Sequence, residues 1–443
     1  MHTQTKRILL QSKTAAAVVA MLVGSVSLHA QQKISGPQAR YWLNAETASG
    51  FAAQQAASPS GGGLGAVFGG LFGGGGGGGA SSSATKTLRL DLGAAREANP
   101  ASGQHNIPAS LGMGASLPLL GPERAVFEKR ERLNERQVPE VEETEGNTRM
   151  LFFWGCGAQA GPGQPVILDV KQIQQGKMPP NMSGFAVRDR TRGPGYGRDR
   201  GYADWPNAKD DSRVPANASL AGDHMVTSNI STEIRFAVSA ANDYLGALTL
   251  SSAANSGGGT KLSWNAVDRS LGYFATAMGM RETAPKNNDM VIWNSSAQRM
   301  LGGEELMGFL APAEVSRLVG ERVVMPPSTT ECVIPKQALD AAGGQLFMSN
   351  LNAFGPELNV IHPPRPTDPR TEWKQEYAVK LRTRSYTGNM DMMAAASGSR
   401  GGAGNASSAG SAGNTQQPAE APSGGVPNPL GGAGNILRGI FGR

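Results

Sequence analysis

Histidine and cysteine are scarce in this chain: 443 residues carry five of the first and two of the second. The histidines stand at His2, His29, His105, His224 and His362, with no HxxxH or CxxC spacing, so no metal site is signalled. No GxSxG elbow and no complete Ser-Xaa-Xaa-Lys set occurs, which leaves the common serine-nucleophile signatures out. A long apolar run is also missing. The longest, Thr14–Leu28, falls short of the roughly twenty residues that span a bilayer. Nor is there an excess of one charge: 41 basic residues face 35 acidic ones. No catalytic residue, cofactor site or metal ligand can be named on these grounds.

The short apolar run has a meaning of its own. Lys6, Arg7 and Lys13 precede it, and His29-Ala30 follows. A basic start, a short apolar stretch and a small residue at the cut read as a secretory signal over residues 1–30. No cysteine lies near Ala30, which argues against a lipid-anchored lipoprotein. Cleavage removes three basic residues and no acidic one, so the balance becomes 38 − 35 = +3. That is an ordinary surface and not an electrostatic footprint for nucleic acid. After cleavage no transmembrane span is expected. The protein reads as exported: periplasmic, cell-surface or secreted.

Export gives the two cysteines weight. Cys156 and Cys332 are expected either to form one disulfide or to be two buried thiols. A bond would close a loop of 176 residues, worth about 4–5 kcal/mol on loop entropy, less any strain.

Glycine (60) and proline (28) concentrate in stretches that cannot form a core, so the folded part is much smaller than the length suggests. Residues 31–50 contain a strand-like segment, Tyr41–Glu46. Residues 51–86 read as a Gly-rich linker; a GxGxxG match inside Gly61–Gly79 carries no weight without a flanking strand and helix. Residues 87–185 form a first β domain, opened by Leu88, Leu90 and Leu92 alternating with Arg89 and Asp91, with a charged insertion at 122–147. Met150–Trp154 is a fully apolar strand, joined to Val166 and Leu168 by a hairpin across Gly161–Gly163. Residues 186–225, with RDRTRGPGYGRDRGY at Arg188–Tyr202, read as a flexible Arg/Gly linker. Residues 226–390 form a second β domain. Its strands include Ile234–Val238, Tyr244–Leu250, Leu262–Trp264, Tyr273–Ala277, Met290–Trp293 and a long one from Trp373. Pro312–Gly320 is its one helix, with proline in the first turn. Residues 391–443 read as a disordered tail.

In Leu262–Gly279, Trp264 and Tyr273 stand nine residues apart with a turn between, and Leu262 and Val267 occupy neighbouring apolar positions. This stretch resembles the second and third strands of a fibronectin-type-III or immunoglobulin-like module. The resemblance implies a β-sandwich and carries no function. Met150–Trp154 and Met290–Trp293 echo one another, as two β domains of a common type would.

The remaining candidates are surfaces. Asp223-His224 reads as a surface dipeptide, and Lys374, Lys380, Arg382 and Arg384 as a guarded edge strand or a contact for anionic glycan or headgroups. At the C-terminus, Ile436, Leu437, Arg438, Ile440 and Phe441 make a short apolar-basic segment suited to docking on a partner or a membrane surface. The expectation is therefore a mainly β protein of two sandwich-like domains with long Gly-rich disordered segments and one short helix. Its expected role is non-enzymatic, binding an envelope protein or glycan or serving as a structural element. The alternative is an exported hydrolase or carbohydrate-active enzyme.

Overall fold

A computed structural model describes residues 32–56, 84–122, 147–175, 177, 188, 192–285, 287–344 and 347–391. The segment read as a signal, the glycine run, most of the stretch read as a charged insertion and the C-terminal segment with Ile436–Phe441 lie outside the described residues. None of the described helices is long and apolar enough to cross a membrane.

The described chain is mainly β. In order it forms β1 (Ile34–Ser35), β2 (Ala39–Ser49), α1 (Gly50–Ala56), β3 (Thr85–Ala94), β4 (Ser102–Asn106) and β5 (Ser116–Leu120). Then come β6 (Thr148–Trp154), β7 (Val166–Asp169), α2 (Val170–Gln174), β8 (Gly201–Trp205), β9 (Gly222–Ser228) and β10 (Ile234–Val238). The rest comprises β11 (Leu250–Ala254), β12 (Thr260–Trp264), β13 (Gly272–Ala284), β14 (Asn287–Asn294), α3 (Pro312–Gly320), β15 (Glu331–Ile334) and α4 (Lys336–Ala341). It ends with β16 (Phe347–His362), β17 (Trp373–Lys374) and β18 (Tyr377–Asp391).

Thirteen strands join one sheet in the order β10-β9-β4-β5-β8-β3-β2-β18-β16-β13-β14-β6-β7; β11-β12-β15 form a second, and β1-β17 a short parallel pair. The alternating leucines of β3 face inward as their pattern requires, at 3%, 0% and 0% exposure. Helix α3 covers Pro312–Gly320 as read, burying Val315 and Leu318. Three shorter helices accompany it among the described residues. The hairpin of β6 and β7 is also present.

The pairing crosses the interval drawn at 186–225. Strand β6, from the first interval, pairs in parallel with β14 from the second, and β9 pairs with β4. The echo between Met150–Trp154 and Met290–Trp293 has its physical reason here. The two segments lie side by side, Met150 opposite Met290 and Phe153 opposite Trp293. Both faces are covered, Leu151 and Phe153 by one core, Met150 and Phe152 by another, which is why their apolar runs are unbroken. The stretch read as a linker contains β8, whose Tyr202, Ala203 and Trp205 are buried. Residues 244–249 are not a strand: a 3-10 turn at Ala240–Asn242 leads into irregular chain, with Tyr244, Leu245 and Leu248 packed inward.

The large sheet serves two cores. From β16 to β6 it packs against β11-β12-β15, around Leu262, Trp264, Tyr273, Val291, Trp293 and Leu351. From β10 to β18 it curls. Three strands separate β2 from β4 in the order, a spacing of about 19 Å in a flat sheet. Yet the Tyr41 hydroxyl lies 2.9 Å from His105 Nδ1. Likewise the Tyr377 hydroxyl of β18 reaches β10, accepting from Arg235 N at 3.3 Å and donating to Arg235 O at 3.0 Å. Leu43, Leu90, Leu92, Leu119, Trp205 and Val226 fill the space enclosed.

Candidate functional site

The polar feature most deeply set in this fold crosses that curled half. Tyr41 projects from β2, His105 from β4 and His224 from β9, all inward and at most 2% exposed. They form a chain: Tyr41 Oη to His105 Nδ1 at 2.9 Å, His105 Nε2 to His224 Nδ1 at 2.9 Å, and His224 Nε2 to the Leu220 carbonyl at 2.7 Å. The last link sets every proton. A carbonyl only accepts, so His224 Nε2 carries hydrogen and its Nδ1 accepts when the ring is neutral. His105 Nε2 must then donate, its Nδ1 accept, and the Tyr41 hydroxyl donate. Phe236 of β10 stacks on His224 at 4.8 Å and 7°, and the Tyr41 and His105 rings meet edge to face at 86°.

Burial shapes the titration. His105 is held well below the ordinary imidazole range, first by burial and then by His224. His224 is lowered by burial, against the opposing effects of the Leu220 carbonyl and Asp223. Tyr41 is raised by burial and by Asp91. The dipeptide Asp223-His224 therefore does not sit on the surface as a pair: β alternation sends Asp223 out and His224 in. Beside them an open dish of about 400 Å³ is lined by Asn106, Asp223, Met225 and Arg235 together with His224 and Phe236.

Of the basic row, Lys380, Arg382 and Arg384 belong to the middle of the sheet, not to its edge, because β18 lies between β2 and β16, whereas Lys374 is exposed in the separate β1-β17 pair. The three cations of β18 are engaged. Lys380 pairs with Glu357, Arg384 Nε donates to Glu46 Oε1 at 2.8 Å, and Arg382 Nε donates to Asn44 Oδ1 at 2.8 Å. Aromatic rings interleave: Arg382 lies over Trp42 at 4.5 Å and Phe309 at 4.7 Å, and Arg384 over Tyr386 at 4.5 Å. Further along the same face Asp91 and Asp204 are direct cross-strand partners on β3 and β8. The Tyr202 hydroxyl lies 2.7 Å from one and 3.2 Å from the other. Burial and these carboxylates raise Tyr202 far above the phenol range.

The two cysteines are bonded to one another, at a Cα–Cα distance of 5.2 Å. Cys332 sits in β15 opposite Leu262, buried, while the exposed Cys156 lies two residues beyond β6. The bond thus clips the three-stranded sheet to the large one. Beside it Gly157 N donates to Val333 O at 2.9 Å and Lys336 N to Ala158 O at 3.0 Å. The docking candidates Ile436, Leu437, Arg438, Ile440 and Phe441 lie outside the described residues. Among the described residues no cluster of three or more His, Cys, Asp or Glu is placed to hold a metal.

Sequence reasoning missed the Tyr–His–His chain. The signal available for His224 was its place two residues before Val226 on an alternating strand; β4, SGQHN, offers no apolar alternation at all. No protein-family model, curated protein or solved structure matches this chain.

Proposed function

We propose that this chain is an exported, non-enzymatic β protein of the cell envelope or the secreted fraction, with a binding or structural role through its sheet surfaces. The observation that carries the reading is how the polar groups of the folded part are used. The histidine chain ends on a backbone carbonyl, and Lys380, Arg382 and Arg384 are locked to partners on neighbouring strands. Groups held in this way define shape. The Cys156–Cys332 bond supports export, since such bonds persist in oxidising compartments. The local likeness to a fibronectin-type-III or immunoglobulin-like module belongs to the same reading. It is supported by Trp264 and Tyr273, which share one core at 5.7 Å, while Val267 N donates to the Tyr273 hydroxyl. Partners of this protein would be an envelope protein or a glycan, with Ile436–Phe441 as a second contact.

The test is cross-linking in the native cells, comparing the full chain with one ending at Met393. A defined envelope partner or glycan captured by the full chain and lost with the tail supports the reading. Recovery of the protein only from the cytoplasm, with both thiols free, removes it.

A second reading, an exported hydrolase, is favoured by one observation: the facing carboxylates Asp91 and Asp204 with a tyrosine hydroxyl between them. Turnover of a polysaccharide or ester that disappears in Asp91→Asn, with the fold intact, would establish it.

A further inference from the structure

We propose that the Tyr41–His105–His224 chain is an acid-operated latch: proton uptake disconnects β2 from β4 and β9 and lets the curled half of the large sheet open. This inference stands apart from the functional reading above. It begins from the span of the chain. Tyr41 and His105 belong to strands with three others between them in the sheet, so their hydrogen bond ties facing walls and not neighbours. Main-chain pairing cannot replace it.

The direction of the chain makes it intolerant of an added proton. A cationic His224 would present N–H at both nitrogens, and its Nδ1 would face the N–H of His105 at 2.9 Å. Relief requires His105 to move its own proton to Nδ1, toward Tyr41. The tyrosine oxygen can accept it, but the tyrosine's hydrogen then needs a new acceptor. Among the described contacts the Tyr41 hydroxyl has His105 alone. One proton therefore leaves a buried donor unpaired at the far end, a costly state in a low-dielectric core.

The surrounding charges do not rescue it. From β9 and β10, Asp223 and Arg235 point to the outer face. From β3, Asp91 accepts from Tyr202 and Arg89 on the opposite side of the sheet. Behind the Leu220 loop, Asp243 accepts from Ser219 Oγ and Leu220 N, while Lys86 donates to Ala218 O. From β18, Tyr377 is occupied with Arg235 and stacks on His362. None of these groups hydrogen-bonds to the three rings among the described contacts.

The sign follows from linkage. Both rings are held below their ordinary range in the closed fold. An opened or unfolded chain binds protons near pH 6.5, so the latch contributes fully above that pH and loses strength as pH falls below it.

The experiment is hydrogen exchange of the full chain between pH 7.5 and 4.5, corrected for intrinsic rates, with peptides of β13 and β14 as internal reference. Peptides of β4 and β9 should exchange faster by about tenfold or more between pH 6.5 and 5, since each ring that titrates only when open adds up to about tenfold per pH unit. His105→Gln with His224→Gln keeps an acceptor and a donor at each position without a titrating group, and should remove the acceleration. No acceleration in the natural chain, or an equal one in the double variant, overturns the proposal. If the double variant does not fold, nitrogen NMR of the natural chain decides. Both rings should carry hydrogen on Nε2 alone at pH 7 and lose that pattern together with β4 and β9 protection. A ring that becomes cationic while those strands stay protected overturns it as well.

Discussion

Removing the Cys156–Cys332 bond is the sharpest single perturbation of this fold. The bond joins residues 176 apart in sequence. Reducing it frees the unfolded chain to open a loop of that length, which the loop-entropy relation values at about 5 kcal/mol near room temperature. The native state offers little compensation. Cys332 is 3% exposed inside the sandwich core, and a few hydrogen bonds, such as Gly157 to Val333, Lys336 to Ala158 and Ala160 to Gln337, hold the loop after β6 to β15 and the start of α4. The double variant Cys156→Ala/Cys332→Ala should therefore unfold at much lower urea. With a slope of about 3 kcal/mol/M, the full entropic value moves the midpoint down by about 1.7 M. Tryptophan fluorescence reports the transition, since Trp264 and Trp293 lie in the core the bond closes. Hydrogen exchange adds the location: Gly157 and Lys336 amides should lose protection first, ahead of β2 and β3. A midpoint within about 0.2 M of the natural chain would refute the reasoning, because a bond closing so long a loop must restrict the unfolded ensemble.

Three further outcomes follow from named contacts. Gly355→Ala places a methyl group 2.6 Å from the Thr383 carbonyl oxygen, where β16 and β18 shift register, and should cost about 1–3 kcal/mol in urea unfolding. Asn352→Leu removes the amide that donates to Leu306 O and Gly308 O; it should cost about 1–3 kcal/mol and speed exchange in the loop carrying Phe309 over Arg382. Tyr377→Phe deletes the hydroxyl joining β18 to Arg235 of β10; the loss should be about 1 kcal/mol, with faster exchange confined to β10 and β9.

What the sequence discloses and what it hides divide along one physical line. Periodicity reports which face of a strand is buried, so Leu88–Leu92 and Ile234–Val238 are legible from the order of their residues alone. Local chemistry reports ends, so Pro312 marks the start of α3. Pairing is a long-range property and leaves no such trace. Nothing in TRMLFFW says that its neighbour is MVIW 140 residues later, and the two runs look alike because each is covered on both faces in one sheet. Composition misleads in the same way at Gly201–Trp205. Arg, Gly and Pro before it read as linker, yet Gly201 lies where a Cβ would meet Ile230, and close packing there needs glycine. Flexibility and close approach draw on the same residue.

The histidines carry this argument furthest. A histidine in a sequence invites a search for ligands or nucleophiles at fixed spacing, and His105 and His224, 119 residues apart, satisfy no such spacing. Their relation comes from the pairing of β4 with β9, and the curl of the sheet sets β2 across from them. The outward half of the same strands then becomes informative. Asn106, Met225 and Arg235 occupy one registered row across β4, β9 and β10, one position along from the buried rings. A change in how the inner chain is protonated must pass through these strands. The row at the surface is thus coupled to the core by no more than one residue of backbone on each strand. Any partner seated on that dish would bind a surface whose geometry the buried chain holds in place, and its affinity should fall with the latch below pH 6.5.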